Sequence, residues 1–417
     1  MADFYQNGII TTLHNLVDRP LDELEKELIS FSRIRPMSLV LPSLYSELSG
    51  PALDNIINDV AKVPYLNEIV IGLDRADEKE YAHAREFFSR LPQHHRILWN
   101  DGPRLRKIDE LLQNEGLAPK EMGKGRNVWY CYGYVLASGR AEAVALHDCD
   151  IVTYERSMLA RLIYPVANPA FNYEFAKGFY ARVAAQKLNG RVSRLLVTPL
   201  IRALKKVYGS LDYLEYLDSF RYPLSGEFSM RTDVLNDIRI PSDWGLEIGV
   251  LSEMKRNYST NRICQVDIAD VYDHKHQPLS EEDASRGLSK MSTDICKAIF
   301  RKLATQGEIF TTETFRSIKA TYFRIALDFV ETYYNDARMN GLTLDRHAEE
   351  KAVELFAENI MAAGEHFLAN PMETPFIPSW NRVISAVPDI LDRIYEAVEE
   401  DNHHRRKISN GLSSATA

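Results

Sequence analysis

Cysteine is scarce in this chain: Cys131, Cys149, Cys264 and Cys296 are the four in 417 residues, and no two form a C-x-x-C pair. That spacing excludes a zinc-finger framework and a disulfide scaffold. No apolar run approaches the roughly 18 residues that span a bilayer. Met1 to Leu16 also lacks a basic start followed by an apolar core, so the expected location is cytoplasmic. Long Lys/Arg blocks are missing as well, and 50 basic against 59 acidic residues leave a formal charge of -9. Such a chain is not built to grip nucleic acid or an anionic membrane through bulk charge. Internal repeats and long low-complexity tracts do not occur. What remains, 45% apolar and 26% charged side chains, has globular proportions. At about 150 residues per domain it has room for two to three domains.

Short apolar runs alternate with helical patterns through the first third. Met37 to Leu41, Ile69 to Leu73, Arg96 to Trp99 and Ala143 to Leu146 read as buried strands. Leu53, Ile56, Ile57 and Val60 lie at helical spacing, as does the stretch through Trp129, Tyr132 and Leu136 that Gly139 closes. Strands apolar on both faces and separated by helices predict a mostly parallel sheet covered on two sides. Ligands of such sheets bind beyond the carboxyl ends of the strands, which here carry Pro42 to Glu47, Asp74, Asp101 and Asp148 to Asp150. After Asp150 the pattern loosens, with strand-like pieces at Phe175 to Tyr180 and Ile263 to Val266. From about Leu279 helical periodicity takes over: Ile295, Ile299, Phe300 and Leu303; Ile325, Ala326, Phe329 and Val330; Val353, Phe356 and Ile360; Ile390, Ile394 and Val398. The expected organisation is an α/β catalytic domain over 1–279, a helical C-terminal region over 280–400 and a disordered tail over 401–417.

Four constellations carry chemistry. Asp148-Cys149-Asp150 follows the run Ala143 to Leu146; in an extended chain its two carboxylates share one side and Cys149 takes the other. Two such hard oxygen donors suit a divalent cation that also binds a diphosphate, although Asp-x-Asp also occurs in ordinary loops. Gly123-Lys124-Gly125-Arg126-Asn127 offers close backbone approach, one compact positive charge and the amides of a helix start; it lacks the spacer and hydroxyl of a Walker loop. Asp273-His274-Lys275-His276 offers imidazole for a divalent site, with Asp273 able to orient it. The middle region contributes Lys177 to Arg182, Asn189-Gly190-Arg191-Val192-Ser193, Ser225-Gly226-Glu227 and Trp244 to Gly249. Arg191 with Gly190 and Ser193 suits an anionic acceptor. Structural readings stand beside these: Arg182 as a surface ion-pair partner, Phe179 as core and Glu247 as a helix cap.

Taken in order, these segments resemble the retaining GT-A glycosyltransferases of the glucosyl-3-phosphoglycerate synthase family, which includes mannosyl-3-phosphoglycerate-forming relatives. The similarity runs from about Met37 to the His274 loop and Pro278-Leu279. The resemblance implies a GT-A fold, a Rossmann-like mostly parallel sheet flanked by helices; the helical C-terminal extension is longer than the family leads one to expect, and its expected role is to support a homodimer. It implies metal ligation by Asp148, Asp150 and His274, with Mg2+ or Mn2+ as cofactor. It assigns nucleotide-sugar contacts to Pro42, Leu44, Glu47, Asp74, Gly123, Lys124, Asp148, Cys149, Gly226 and Glu227. Gly190, Arg191, Ser193 and Tyr272 fall on the acceptor side, and Glu247, Asp150 and Lys124 at the catalytic centre. Two departures stand out. The family's Pro-x-Leu-Asn-Glu motif is here Pro42-Ser43-Leu44-Tyr45-Ser46-Glu47, which moves the register of Glu47. Tyr272 stands where an arginine is expected, removing a positive charge from the acceptor side.

By this resemblance the chain moves glucose from a nucleoside diphosphate sugar, UDP-glucose foremost, to D-3-phosphoglycerate, and so makes the precursor of the compatible solute glucosylglycerate. Other readings remain open from sequence: GDP-mannose as donor; glycerate or a glycosylated phosphoglycerate as acceptor; or a non-catalytic nucleotide-binding module. A sugar-1-phosphate nucleotidyltransferase would need a Gly-rich N-terminal loop that the Pro42 to Glu47 segment does not provide.

Overall fold

The structure is a computed structural model that describes residues 6, 8–17, 19–120, 122–274, 287–371, 373 and 376–403. The chain forms two compact units, each assembled from three segments. A sheet unit comprises Val17–Ala176, Glu227–Ser242 and Phe376–Ala417, and a second unit comprises Met1–Leu16, Lys177–Gly226 and Asp243–Pro375. The expected division at 279/280 lies outside the described residues, as does 404–417 of the expected tail.

Five strands of the sheet unit lie in the order Phe228–Arg231, Ala143–Leu146, Met37–Leu44, Leu66–Asp74, His95–Trp99. The last four are mutually parallel, and Phe228–Arg231 runs antiparallel beside Ala143–Leu146. Leu39, Val40 and Leu41, like Ile69, Val70 and Ile71, are buried at consecutive positions, so both faces are covered, as the apolar runs predict. Helix Pro51–Val60 buries Leu53, Ile56, Ile57 and Val60, the face expected from their spacing. Helix Lys124–Ser138 is buried from Gly125 to Val135 and ends where Gly139 enters the left-handed region at φ 59°. The mostly parallel sheet flanked by helices is thus observed.

The last part of the chain completes this unit. Trp380 stacks on Trp129 with ring centroids 4.1 Å apart; Trp129 Nε1 donates to the Pro378 carbonyl at 2.9 Å and Trp380 Nε1 to the Trp129 carbonyl at 3.2 Å. Helix Ile390–His403 covers the outer strand. Its Glu399 accepts both Nε and Nη2 of Arg96 at 2.8 Å. Asn402 exchanges two hydrogen bonds with the Ile97 backbone, at 2.9 and 3.2 Å, which satisfies edge groups that would otherwise invite another strand. Phe376–Ile377 also pairs antiparallel with Ile240–Pro241, a strand after Leu279 that the sequence pattern does not predict, because two residues are too few to set a period.

Glu68, in strand Leu66–Asp74, is fully buried. Burial pushes its carboxyl up from 4.5 to about 7, against the Ser138 hydroxyl that donates to it at 2.9 Å and the nearby Arg140. A raised folded pKa contributes stability that is complete below about 4.5 and lost as pH rises through about 7. Glu68→Gln removes that loss. Thermal melts are expected to show the variant gaining on the parent protein at pH 8, with the gain shrinking toward pH 5; an equal gap at both pH values contradicts the assignment.

In the second unit, Thr11–Leu13 pairs parallel with Ile263–Ala269, and Val183–Ala184 forms a hairpin with Lys187–Leu188. Helices Gly287–Ala304, Thr312–Met339 and Arg346–Ala369 follow. The predicted apolar positions of these three are buried, except Phe329, which lies half-buried beneath the guanidinium of Arg202 at 4.9 Å.

Candidate active site

Parallel strands place their carboxyl ends on one edge of the sheet. Leu44 pairs with Asp74, Leu73 with Trp99, and Val40 with Leu146, so Pro42 to Glu47, Asp74, Asn100 and Asp148 to Asp150 leave the sheet together. Phe228 pairs with Leu146 in the opposite direction, which brings the start of its strand, and the fully buried Glu227 before it, to the same edge. Pro42 and Leu44 are half-buried in their strand. A 3-10 turn, Tyr45–Ser49, then folds Glu47 back, and its Oε2 accepts the Leu44 amide and the Ser43 hydroxyl, each at 3.1 Å. That return settles where Glu47 lies despite the altered motif. Asp74 is buried and accepts from Asn100 Nδ2 at 2.7 Å; burial raises its pKa. Asn127 donates to the Gly72 carbonyl at 3.0 Å, and Arg126 pairs with Asp109 at 2.7 Å. Both thus hold the floor beneath Asp74.

Lys124 opens its helix, preceded by Gly123 in extended backbone. A methyl on Gly125 would overlap the Pro241 carbonyl oxygen, so glycine there lets the segment Glu227–Ser242 close against the helix start. The Lys124 ammonium lies 2.6 Å from Asp148 Oδ1. Regular strand ends at Leu146 and residues 149 and 150 form a turn, so the expected extended geometry of Asp148-Cys149-Asp150 is not what aligns the carboxylates. The turn achieves a similar division: Cys149 is buried while both aspartates are half-buried. Burial, then Asp148, push the Asp150 carboxyl up to about 7; Glu47 and Glu227 add to this and Lys124 opposes it. His147, fully buried, is pushed down to about 3 by burial and packs edge-on against Tyr154. It is neutral core. Among the described residues no three His, Cys, Asp or Glu side chains form a ready metal cage.

The remaining predicted residues belong to the second unit: Gly190, Arg191, Ser193, Gly226, Glu247, Tyr272 and His274. Gly190 has φ 77°, the left-handed turn that glycine accepts without strain, and delivers the chain into a π-helical stretch, Val192–Val197. Ser193 Oγ is buried and has no hydrogen-bond partner among the described residues. Tyr272 is 1% exposed and stacks on Tyr180 at 3.6 Å, with the half-buried His274 ring 5.9 Å away. Arg182 is not a surface ion-pair partner, as one reading had it. It lies half-buried beside Tyr222, with which it forms a hydrogen bond, and near Tyr180 and Tyr272. A guanidinium, that of Arg182, therefore lies near Tyr272. Phe179 is buried, as core. Glu247 stands inside the first turn of helix Leu246–Asn257, a position favoured by the helix dipole. Gly245 precedes the helix, and its amide donates to Asp243 at 2.9 Å. Gly226 closes a segment of the second unit and Glu227 opens one of the sheet unit. Lys275, His276, Pro278 and Leu279 lie outside the described residues.

A lysine against paired aspartates at this sheet edge leaves several enzyme classes open, and similarity to known proteins decides among them. The chain is 48% identical over 402 residues to glucosyl-3-phosphoglycerate synthase of Persephonella marina, covering 96% of this chain and 99% of that protein. With the synthase of Methanococcoides burtonii it shares 39% identity over 404 residues, 96% of this chain and 98% of the other. The chain belongs to the glucosyl-3-phosphoglycerate synthase family. It is therefore a glycosyltransferase. The helical region after Leu279 is longer than expected for the family from motifs alone, yet these two glucosyl-3-phosphoglycerate synthases match this chain over nearly their whole length. Among solved structures, glucosyl-3-phosphoglycerate synthase of Mycobacterium tuberculosis in complex with Mn2+, UDP-glucose and phosphoglyceric acid aligns with a TM-score of 0.51 at 20% identity, over 71% of this chain and 88% of that one. That likeness shows the shared fold. No protein-family model matches the chain.

Proposed function

We propose that this chain transfers glucose from UDP-glucose to D-3-phosphoglycerate with retention of anomeric configuration, giving the phosphorylated precursor of the compatible solute glucosylglycerate. One observation carries the reading: Lys124, Asp148 and Asp150 gather at the carboxyl edge of the sheet in a chain that aligns over 96% of its residues with glucosyl-3-phosphoglycerate synthases. UDP-glucose, phosphoglyceric acid and Mn2+ bound to the Mycobacterium tuberculosis synthase support the choice of donor, acceptor and metal.

Four carboxylates, Glu47, Asp148, Asp150 and Glu227, stand here against one lysine; burial first, and then that imbalance, pushes the Asp150 carboxyl up to about 7. A carboxylate-rich set short of positive charge, completed by one imidazole, fits Mg2+ or Mn2+. Asp148 and Asp150, with His274, are the proposed ligands. The bound cation supplies Lewis-acid neutralisation of charge on the departing diphosphate. Lys124, released from Asp148, then turns its ammonium to the same diphosphate as a fixed charge. Glu47 and the Asp74–Asn100 pair hold the nucleoside end through hydrogen bonds. On the acceptor side Arg191 and Ser193 hold the phosphate, and Glu247 orients the attacking hydroxyl. Attack on the front face, with the leaving phosphate taking the hydroxyl proton, retains configuration without a covalent glycosyl-enzyme, so no nucleophilic carboxylate is required.

Purified protein given UDP-glucose and GDP-mannose together with D-3-phosphoglycerate and D-glycerate is expected to form glucosyl-3-phosphoglycerate, identified by mass. UDP release is expected only with donor, acceptor and Mg2+ or Mn2+ present. Equal turnover in EDTA refutes the metal assignment, and a mannosylated or unphosphorylated main product refutes the substrate assignment.

A further inference from the structure

The helical region 287–371 has no part in the chemistry above, yet three of its side chains converge on the loop that carries Arg191. Tyr322 donates its hydroxyl to the Leu195 carbonyl at 2.7 Å, inside the π-helical stretch Val192–Val197. Tyr333 lies under the Arg194 guanidinium at 4.9 Å. Glu349, 2% exposed, accepts Arg191 Nε at one carboxylate oxygen and Arg194 Nη1 at the other, both at 2.8 Å. Thr343, just before the helix of Glu349, also ties the preceding hairpin: its amide and hydroxyl both donate to the Gln186 carbonyl, at 2.8 and 3.0 Å.

The two arginines are used differently. Arg194, 8% exposed in its side chain, spends Nε on the Asn189 carbonyl, Nη1 on Glu349 and Nη2 on the Leu188 carbonyl. It is structural. Arg191 is 29% exposed and, among the described residues, hydrogen-bonds only through Nε. Its Nη1 and Nη2, the end-on edge that matches a phosphate, remain available. Two guanidiniums around one carboxylate leave a formal charge of +1 at a loop that also holds the Ser193 hydroxyl, unpartnered among the described residues. Ordering an arginine costs rotamer entropy on binding; a buried carboxylate that fixes Nε in advance removes that cost from the binding step.

We propose that Glu349 is a positioning residue for the acceptor, holding Arg191 so that its Nη edge receives the anionic group of a phosphorylated three-carbon acid. The helical region would thereby tune acceptor affinity. This rests on the acceptor role given to Arg191 under the proposed function.

The test compares Glu349→Gln, Glu349→Asp, Arg191→Ala and the Arg191→Ala/Glu349→Gln double variant in the whole 417-residue chain, after melting curves establish folding. A glutamine carries one acceptor where two donors need one, so Glu349→Gln is expected to raise KM for D-3-phosphoglycerate about tenfold, with KM for UDP-glucose within about twofold. Aspartate keeps the charge on a shorter arm and is expected to recover part of the loss. The double variant is expected to match Arg191→Ala alone. Arg191→Ala without effect on acceptor KM overturns the acceptor role of Arg191 itself. Arg191→Ala with a raised KM and Glu349→Gln without one overturns the role of Glu349, as do equal rises in both KM values. If Glu349→Gln does not fold, Glu349→Asp decides: a rise confined to the acceptor supports the role, and none overturns it.

Discussion

Alanine at Asp150 is expected to lower kcat for UDP release by at least about a thousandfold, the scale of losing a charge-stabilising group at a developing leaving-group charge. Asp150 is the residue on which the negative charges of Asp148, Glu47 and Glu227 converge, and its carboxyl sits near 7 because burial and these neighbours disfavour a further charge. A residue retained for stability would not be placed so. Truncation relieves crowding, so the melting temperature of Asp150→Ala is expected to stay level or rise while activity collapses. Mn2+ titration calorimetry should show a parallel loss of binding. Near-normal turnover, or inactivation accompanied by a lowered melting temperature, contradicts the catalytic assignment.

The largest effect on stability is expected at Trp380. Its indole is 1% exposed and lies flat on Trp129, with a hydrogen bond in each direction between the segments that carry them. Gly133 faces the same ring so closely that a methyl there would overlap it, and the cavity left by truncation is therefore walled by a rigid helix that cannot collapse. Trp380→Ala is expected to cost about 3 to 5 kcal/mol, read as a lower urea midpoint in tryptophan fluorescence. A loss under about 1 kcal/mol would mean that the C-terminal segment is not integral to the sheet unit.

The parallel sheet was legible because its strands are apolar on both faces and end in polar residues, a pattern that local sequence alone records. Strand ends then located Glu47, Asp74 and the aspartate pair, and the glycine-flanked start of a helix located Lys124. Their fine geometry was less accessible. The Asp148–Asp150 alignment comes from a turn, where strand alternation had been assumed, and Asn100 and Asn127 support Asp74 through contacts that no spacing encodes. Arg191 could be singled out as a charge beside glycine. Its partner Glu349 sits 158 residues later, in an ordinary helical pattern whose polar face gives no sign of what it grips. Periodicity likewise marked Ile390, Ile394 and Val398 as one buried face without saying that they complete the sheet unit rather than the helices before them.

The interleaved chain path has a consequence for how the protein is made. Each compact unit takes its final segment from beyond Ser242, and the sheet unit needs Phe376 to His403 to cover its outer strand. A nascent chain leaving the ribosome therefore holds an incomplete sheet, with the backbone of Ile97 lacking Asn402, until residues 376–403 have been made. Domains that fold as units during translation escape such exposure; here neither unit can close early, and premature termination anywhere upstream of residue 376 leaves the Trp129 face and the outer strand bare.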